Sequence, residues 1–191
     1  MLGDEEVHEE EELDPREEER RLRALAQIRQ YPDPALRLPA REVEVFDGDL
    51  ASLVGRMRTL MSEAHGVGLA ANQVGVLRRV LVFTDDPAAE PVALVNPRIV
   101  ERSEELGSAE EGCLSLQGVR VPVERNLTLT VEARVPDGSE LRLELAELRA
   151  RVLQHELDHL DGVLILDRTT RDARREALGI LRPYPVLGAL S

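Results

Sequence analysis

Apolar residues recur at steps of three and four in some stretches of this chain and alternate with polar ones in others, and the two periods predict a mixed fold. Leu50, Leu53, Val54, Met57, Leu60 and Met61 share one helical face over Leu50–Ala64, and Asp47-Gly48-Asp49 supplies an acidic N-cap. A second helix is expected over 21–30, where Leu22, Leu25, Ala26 and Ile28 keep the period until Tyr31-Pro32-Asp33-Pro34 stops it. Gly66 to Gly75, GVGLAANQVG, reads as a glycine-punctuated loop. Short β-rich runs follow at 79–84, 92–95, 127–135 and 141–145, the last two joined through Pro136-Asp137-Gly138 as a hairpin. The period turns helical from Ala146 to Asp161, Gly162 closes that helix, and another is expected over 171–181. This order implies the α+β class: antiparallel β-sheets around a central helix that carries His155 and His159, with a C-terminal helix.

Composition narrows the chemistry. The 191 residues fit one domain with an appendage. All 24 basic residues are arginine, so lysine Schiff-base chemistry and a P-loop are excluded. The single cysteine, Cys113, cannot form an intrachain disulfide and is a filler, a nucleophile or a metal ligand. The net charge of −13 is concentrated at one end: residues 1–20 hold eleven acids and two arginines. That stretch is expected to be an acidic tail, disordered or partly helical, and residues 21–191 the folded domain, with 168–191 as its C-terminal helical segment. An acidic start opposes a targeting peptide, and no run approaches the roughly 20 apolar residues that cross a bilayer. The expected location is cytoplasmic, with no membrane or DNA partner.

The stretch VLQHELDHLDG concentrates the candidate chemistry. Leu145, Leu148, Val152, His155 and His159 fall on one stripe, placing both histidines on the apolar face and Arg149, Arg151 and Asp158 on the solvent side. Two buried histidines one turn apart need either two private partners or one shared metal, and the i, i+4 spacing favours the metal. Glu156, rotated by about 100°, can handle the protons of a bound water without being a ligand. The pattern HExxHxxGxxH of metzincin proteases would supply a third ligand downstream, but that position is Ile165. A zincin-like glutamate could only be Glu176, in a short terminal segment. Cys113, after Gly112 and beside a β-like run, is the best remaining candidate.

Three separated stretches, GVGLAANQ (66–73), EGCLS (111–115) and QHELDH (154–159), together with QYPDPALR, LVNPRIVE and HLDGVLILDR, resemble the peptide deformylase family in order and approximate spacing. The resemblance implies removal of the formyl group from the formylmethionine of nascent proteins, with release of formate. It implies that Cys113, His155 and His159 hold one divalent metal ion, Fe2+ physiologically with Zn2+ or Ni2+ as substitutes. Glu156 would be the acid/base, and the Gln73 side chain with the Leu114 N–H would meet the oxyanion. Val67 and Gly68 would bind substrate backbone, Val67, Leu148 and Val152 would line the methionine pocket, and Arg120 would hold the peptide further along. Gln117 stands where the family commonly has proline, and GVRVPVER is slightly shorter than some members' versions, which bears on Arg120 and leaves the chemistry intact. Two alternatives remain: a metallopeptidase, or a non-catalytic module with a structural metal. The C-terminal segment, with Arg168, Arg171, Arg174, Arg175 and Arg182 against Asp172 and Glu176, is about +3 and is either a solvated helix face or a ribosome-docking element.

Overall fold

The computed structural model describes residues 14–84 and 89–181. Its elements run α1 (Pro15–Leu25), α2 (Gly48–Glu63), β1 (Gly68–Ala70), β2 (Val80–Phe83), β3 (Val92–Arg102), β4 (Leu106–Gly112), β5 (Arg120–Asn126), β6 (Thr128–Arg134), β7 (Glu140–Ala146), α3 (Glu147–Leu160), α4 (Ile165–Arg168) and α5 (Arg171–Leu181). Strands β1-β2-β3-β6-β7 form one antiparallel sheet and β4-β5 a separate pair. The run at 79–84 is apolar without alternation because β2 is covered on both faces. Val80 and Val82 join the cluster beneath α2, while Leu81 and Phe83 join the one beneath α3. A third cluster seats Leu164, Ile165 and Ala177 of the C-terminal region against Val121 and Val123 of β5. This is the expected α+β arrangement around a central helix.

Several boundaries differ from the sequence expectation for identifiable reasons. Helix α1 begins at Pro15, within the stretch expected as a tail, where Glu17 and Glu18 suit a helix N-terminus. It ends at Leu25, and beyond it the backbone serves other segments: Arg29 N–H donates to Gln73 O (2.7 Å) and Tyr31 N–H to Ser115 O (2.9 Å). The rest of the expected tail, 1–13, and the end of the C-terminal segment, 182–191, lie outside the described residues. The glycine loop contains a short strand, β1, at the sheet edge, followed by a 3₁₀ turn, Ala71–Val74. Strand β3 continues past Val95 through Pro97 by slipping register, since proline has no N–H to offer the ladder. Ala146 belongs to β7, and the chain turns into α3 at Glu147 with φ of 51°.

The stripe on α3 needs correction. Asp158, expected to face solvent with Arg149 and Arg151, is 8% exposed, whereas Leu148, expected on the apolar face, is 54% exposed. Helix α3 is covered on nearly every side because β5 lies against the face that one sheet alone would leave free. Its C-terminus closes as expected. Val163 N–H donates to Asp158 O and Gly162 N–H to His159 O, with Gly162 at φ of 74°, where a Cβ would come within 2.6 Å of the Arg37 carbonyl oxygen.

Candidate active site and metal centre

Helix α3 presents His155 and His159 from successive turns, and the chain leaving β4 brings Cys113 to them. Cys113 Sγ lies 3.2 Å from His159 Nε2, which lies 3.2 Å from His155 Nε2. All three donor atoms fall within 4.8 Å of one another. Nitrogen donors in a tetrahedral shell with bonds of about 2.1 Å stand about 3.4 Å apart, so this set fits one cation. The orientation fits as well. His155 Nδ1 donates to Glu111 Oε2 at 3.0 Å, which leaves Nε2 as the atom that would ligate once a cation displaces its proton. Burial pushes the His159 pKa well below its ordinary value, with the positive charges of His155 and Arg125 adding to the effect, and so favours the neutral imidazole that ligates. Ile165 packs in the third apolar cluster, and Glu176 is exposed on α5, outside the donor group.

Glu156 is 3% exposed, and its Oε2 has no hydrogen-bond partner. Burial, helped by repulsion from Glu111 and Asp158 against the attraction of His155 and Arg125, raises its pKa to about 7. A carboxyl poised there can both accept and donate a proton near neutrality. Gly68 makes room for it, since a Cβ at that position would come 2.3 Å from Glu156 Oε1. The Gln73 amide is oriented by its neighbours: Oε1 accepts from Ala70 N–H at 2.8 Å, while Nε2 donates to Ser115 Oγ at 3.1 Å and lies 3.8 Å from Cys113 Sγ. The peptide unit that carries the Leu114 N–H is held through the Cys113 carbonyl, which accepts from Leu116 N–H (3.0 Å), and the next one through the Leu114 carbonyl, which accepts from Gln30 Nε2 (2.9 Å) and Gln117 Nε2 (2.8 Å).

A cleft of about 730 Å³ opens over these groups. It gathers Val67, Gly68, Gln73, Cys113, Leu114, Arg120, Leu148, Val152, His155 and Glu156, and His159 lies buried behind them. Sequence reasoning missed the charges beneath. Arg125 makes a two-pronged pair with Glu111 (3.0 Å to each oxygen) and reaches Asp158 Oδ2 at 2.5 Å. Arg151 adds a 2.8 Å contact to Glu111, and Arg168 holds Asp158 at 2.6 Å. Although burial opposes its ionisation, hydrogen bonds from His155 and Arg125 hold the Glu111 carboxyl down at about 2. The one available signal was Glu111 itself, which stands inside EGCLS with no role given to it.

A sequence model of the polypeptide deformylase family matches residues 25–175. The peptide deformylase of Desulforudis audaxviator is 44% identical over 153 residues, covering 80% of this chain and 99% of that protein. Among solved structures, a peptide deformylase from Synechococcus elongatus in complex with actinonin shares 38% identity and a TM-score of 0.77 over 80% of this chain and 85% of that one. One from Legionella pneumophila gives a TM-score of 0.77 at 38% identity, over 81% and 91%. The matched span takes in the Cys-His-His cluster, Glu156 and every residue of the cleft lining except Arg21, and on that ground the chain belongs to the polypeptide deformylase family.

Proposed function

We propose that this protein hydrolyses the formyl amide at the N-terminus of newly made polypeptides that start with formylmethionine, releasing formate. The observation that carries this reading is the buried, unpartnered Glu156 carboxyl beside a Cys-His-His donor cluster at the floor of an open cleft. Cys113, His155 and His159 hold a single divalent ion, iron(II) in the cell, with zinc or nickel able to replace it. When bound, the ion polarises the formyl oxygen and acidifies a water.

Glu156 accepts a proton as the water oxygen bonds to the formyl carbon, then gives it to the amine as the C–N bond breaks. Gln73 Nε2 and the Leu114 backbone N–H donate to the oxygen on which negative charge develops. Strand β1 lies at the sheet edge, so a peptide can add alongside Val67 and Gly68 as a further strand. Val67, Leu148 and Val152 offer the methionine side chain an apolar wall, and Arg120 lies further along. Val67 and Leu148, 47% and 54% exposed, leave that wall open to an apolar side chain.

Metal-loaded protein prepared without oxygen is expected to release formate from formyl-Met-Ala-Ser, to lose that activity with a chelator, and to regain it with iron(II). Metal bound without formate released would end the reading, and cleavage of the unformylated peptide would favour a peptidase.

No described helix is long and apolar enough to cross a membrane, and the proposed place of work is the cytoplasm, where formylated chains emerge. Docking on the ribosome is assigned to α5, which exposes Arg171, Arg174 and Arg175. Reversing those three charges to glutamate is expected to abolish co-sedimentation with ribosomes. Undiminished binding would remove this role.

A further inference from the structure

Helix α1 lies almost wholly outside the matched family span, which starts at residue 25, yet it forms part of the cleft. It packs on α2, and Glu17 Oε1 stands 3.4 Å from His65 Nε2, immediately before the glycines of the cleft wall. That packing carries Arg21 into the lining of the cleft that holds His155 and Glu156. We propose that α1 extends the substrate site and that Arg21 selects formylated chains bearing an acidic side chain at either of the two positions after methionine. The inference rests on the deformylase reading.

Two guanidinium groups line the cleft, those of Arg21 and Arg120. The acids near them are Glu110, exposed among the lining residues, and Glu17 and Glu18 on α1, so the attraction for a carboxylate is local to the two arginines in a protein of net charge −13. Deeper acids are already committed: Glu111 is bound by Arg125 and Arg151, and Glu156 belongs to the floor. Arg120 has no ion pair among the described residues, whereas Arg21 rests on Glu18 at 3.2 Å, with side chains 31% and 39% exposed. A half-buried i, i+3 pair still open to solvent is weak, and an incoming carboxylate can take the place of Glu18. An extended peptide advances about 3.3 Å per residue, so the first two residues after methionine sweep about 7 Å of the cleft.

The test uses formyl-Met-Xaa-Ala-amide and formyl-Met-Ala-Xaa-amide with Xaa as Asp, Asn or Lys, the amide removing the terminal carboxylate. In at least one series kcat/KM for Asp is expected to exceed that for Asn by about two- to fivefold, with Lys lowest, the size an exposed ion pair supports. The advantage should sit in KM and fade at about 0.5 M salt. Arg21→Gln is expected to bring the Asp-to-Asn ratio near one, Arg21→Lys to retain it, and Glu18→Gln to enlarge it by freeing the guanidinium. A merely structural Arg21 would lower all three peptides together, and that result, or an unchanged ratio in Arg21→Gln, overturns the inference. Formate from every peptide at one rate would overturn this inference alone, whereas formate from none would overturn the deformylase reading and this inference with it.

Discussion

Glutamine in place of Glu156 is expected to lower kcat for formate release by a factor of about 10² to 10⁴, the usual worth of a general acid/base, while the protein keeps its metal. The amide has nearly the size of the carboxylate, so neither the space beside Gly68 nor the packing of α3 should change. An amide, however, cannot take a proton from water and return it to an amine. Glu156 is not one of the three converging donors, which is why metal content should survive. The fold should tolerate the change, because this carboxyl is buried, has one oxygen without a partner and is pushed up to about 7, so its charged form is costly where it stands. Steady-state kinetics beside elemental analysis of the same preparation separate the outcomes. Activity within tenfold of wild type would deny Glu156 its role, and metal lost together with activity would make it a ligand instead.

What was legible in the sequence was what short-range order encodes. His155 and His159 could be read as a pair because four residues on a helix is a fixed geometry, and the absence of a downstream ligand at Ile165 directed attention to Cys113. The hairpin through Asp137-Gly138 and the helix over Leu50 to Ala64 followed from turn chemistry and period, and both are present within a residue or two. Strand β4 was not legible, because LGSAEEG has no apolar alternation. It is made by pairing with β5, which no local pattern reports. The same long-range pairing hid the partners of the site. Glu111 and Arg125 lie 14 residues apart on paired strands, and Asp158 looked like a solvent-facing residue until β5 covered it. A helix covered on several sides breaks the rule that polar residues on the far side of the stripe are exposed. Asp158 can be buried there because Arg125 and Arg168 reach it, and those arginines come from strands and helices whose placement only the fold decides.

That buried network makes Arg125 the residue whose loss should cost most in stability. Arg125→Met keeps much of the side-chain stem but leaves Glu111 and Asp158, 6% and 8% exposed, without their shared cation. Removing one partner of a buried pair costs about 3–5 kcal/mol, because the remaining charge stays desolvated and unpaired. Arg151 still reaches Glu111 and Arg168 still reaches Asp158, which should hold the loss near the lower end of that range. The consequence should extend to the metal. Glu111 orients His155 through Nδ1, and a loosened Glu111 is expected to weaken metal affinity about 10- to 100-fold, as the loss of outer partners of metal ligands typically does. Arg125→Lys should fall between the two, since one ammonium cannot grip both oxygens of Glu111 while also holding Asp158. Urea unfolding of the metal-free proteins gives the first quantity, and competition with a chromogenic chelator gives the second. If stability falls while metal affinity stays at the wild-type value, the network only holds β5 to α3, and the orientation of His155 must come from its own packing; a fall in both, graded from lysine to methionine, ties the buried charges to the metal site.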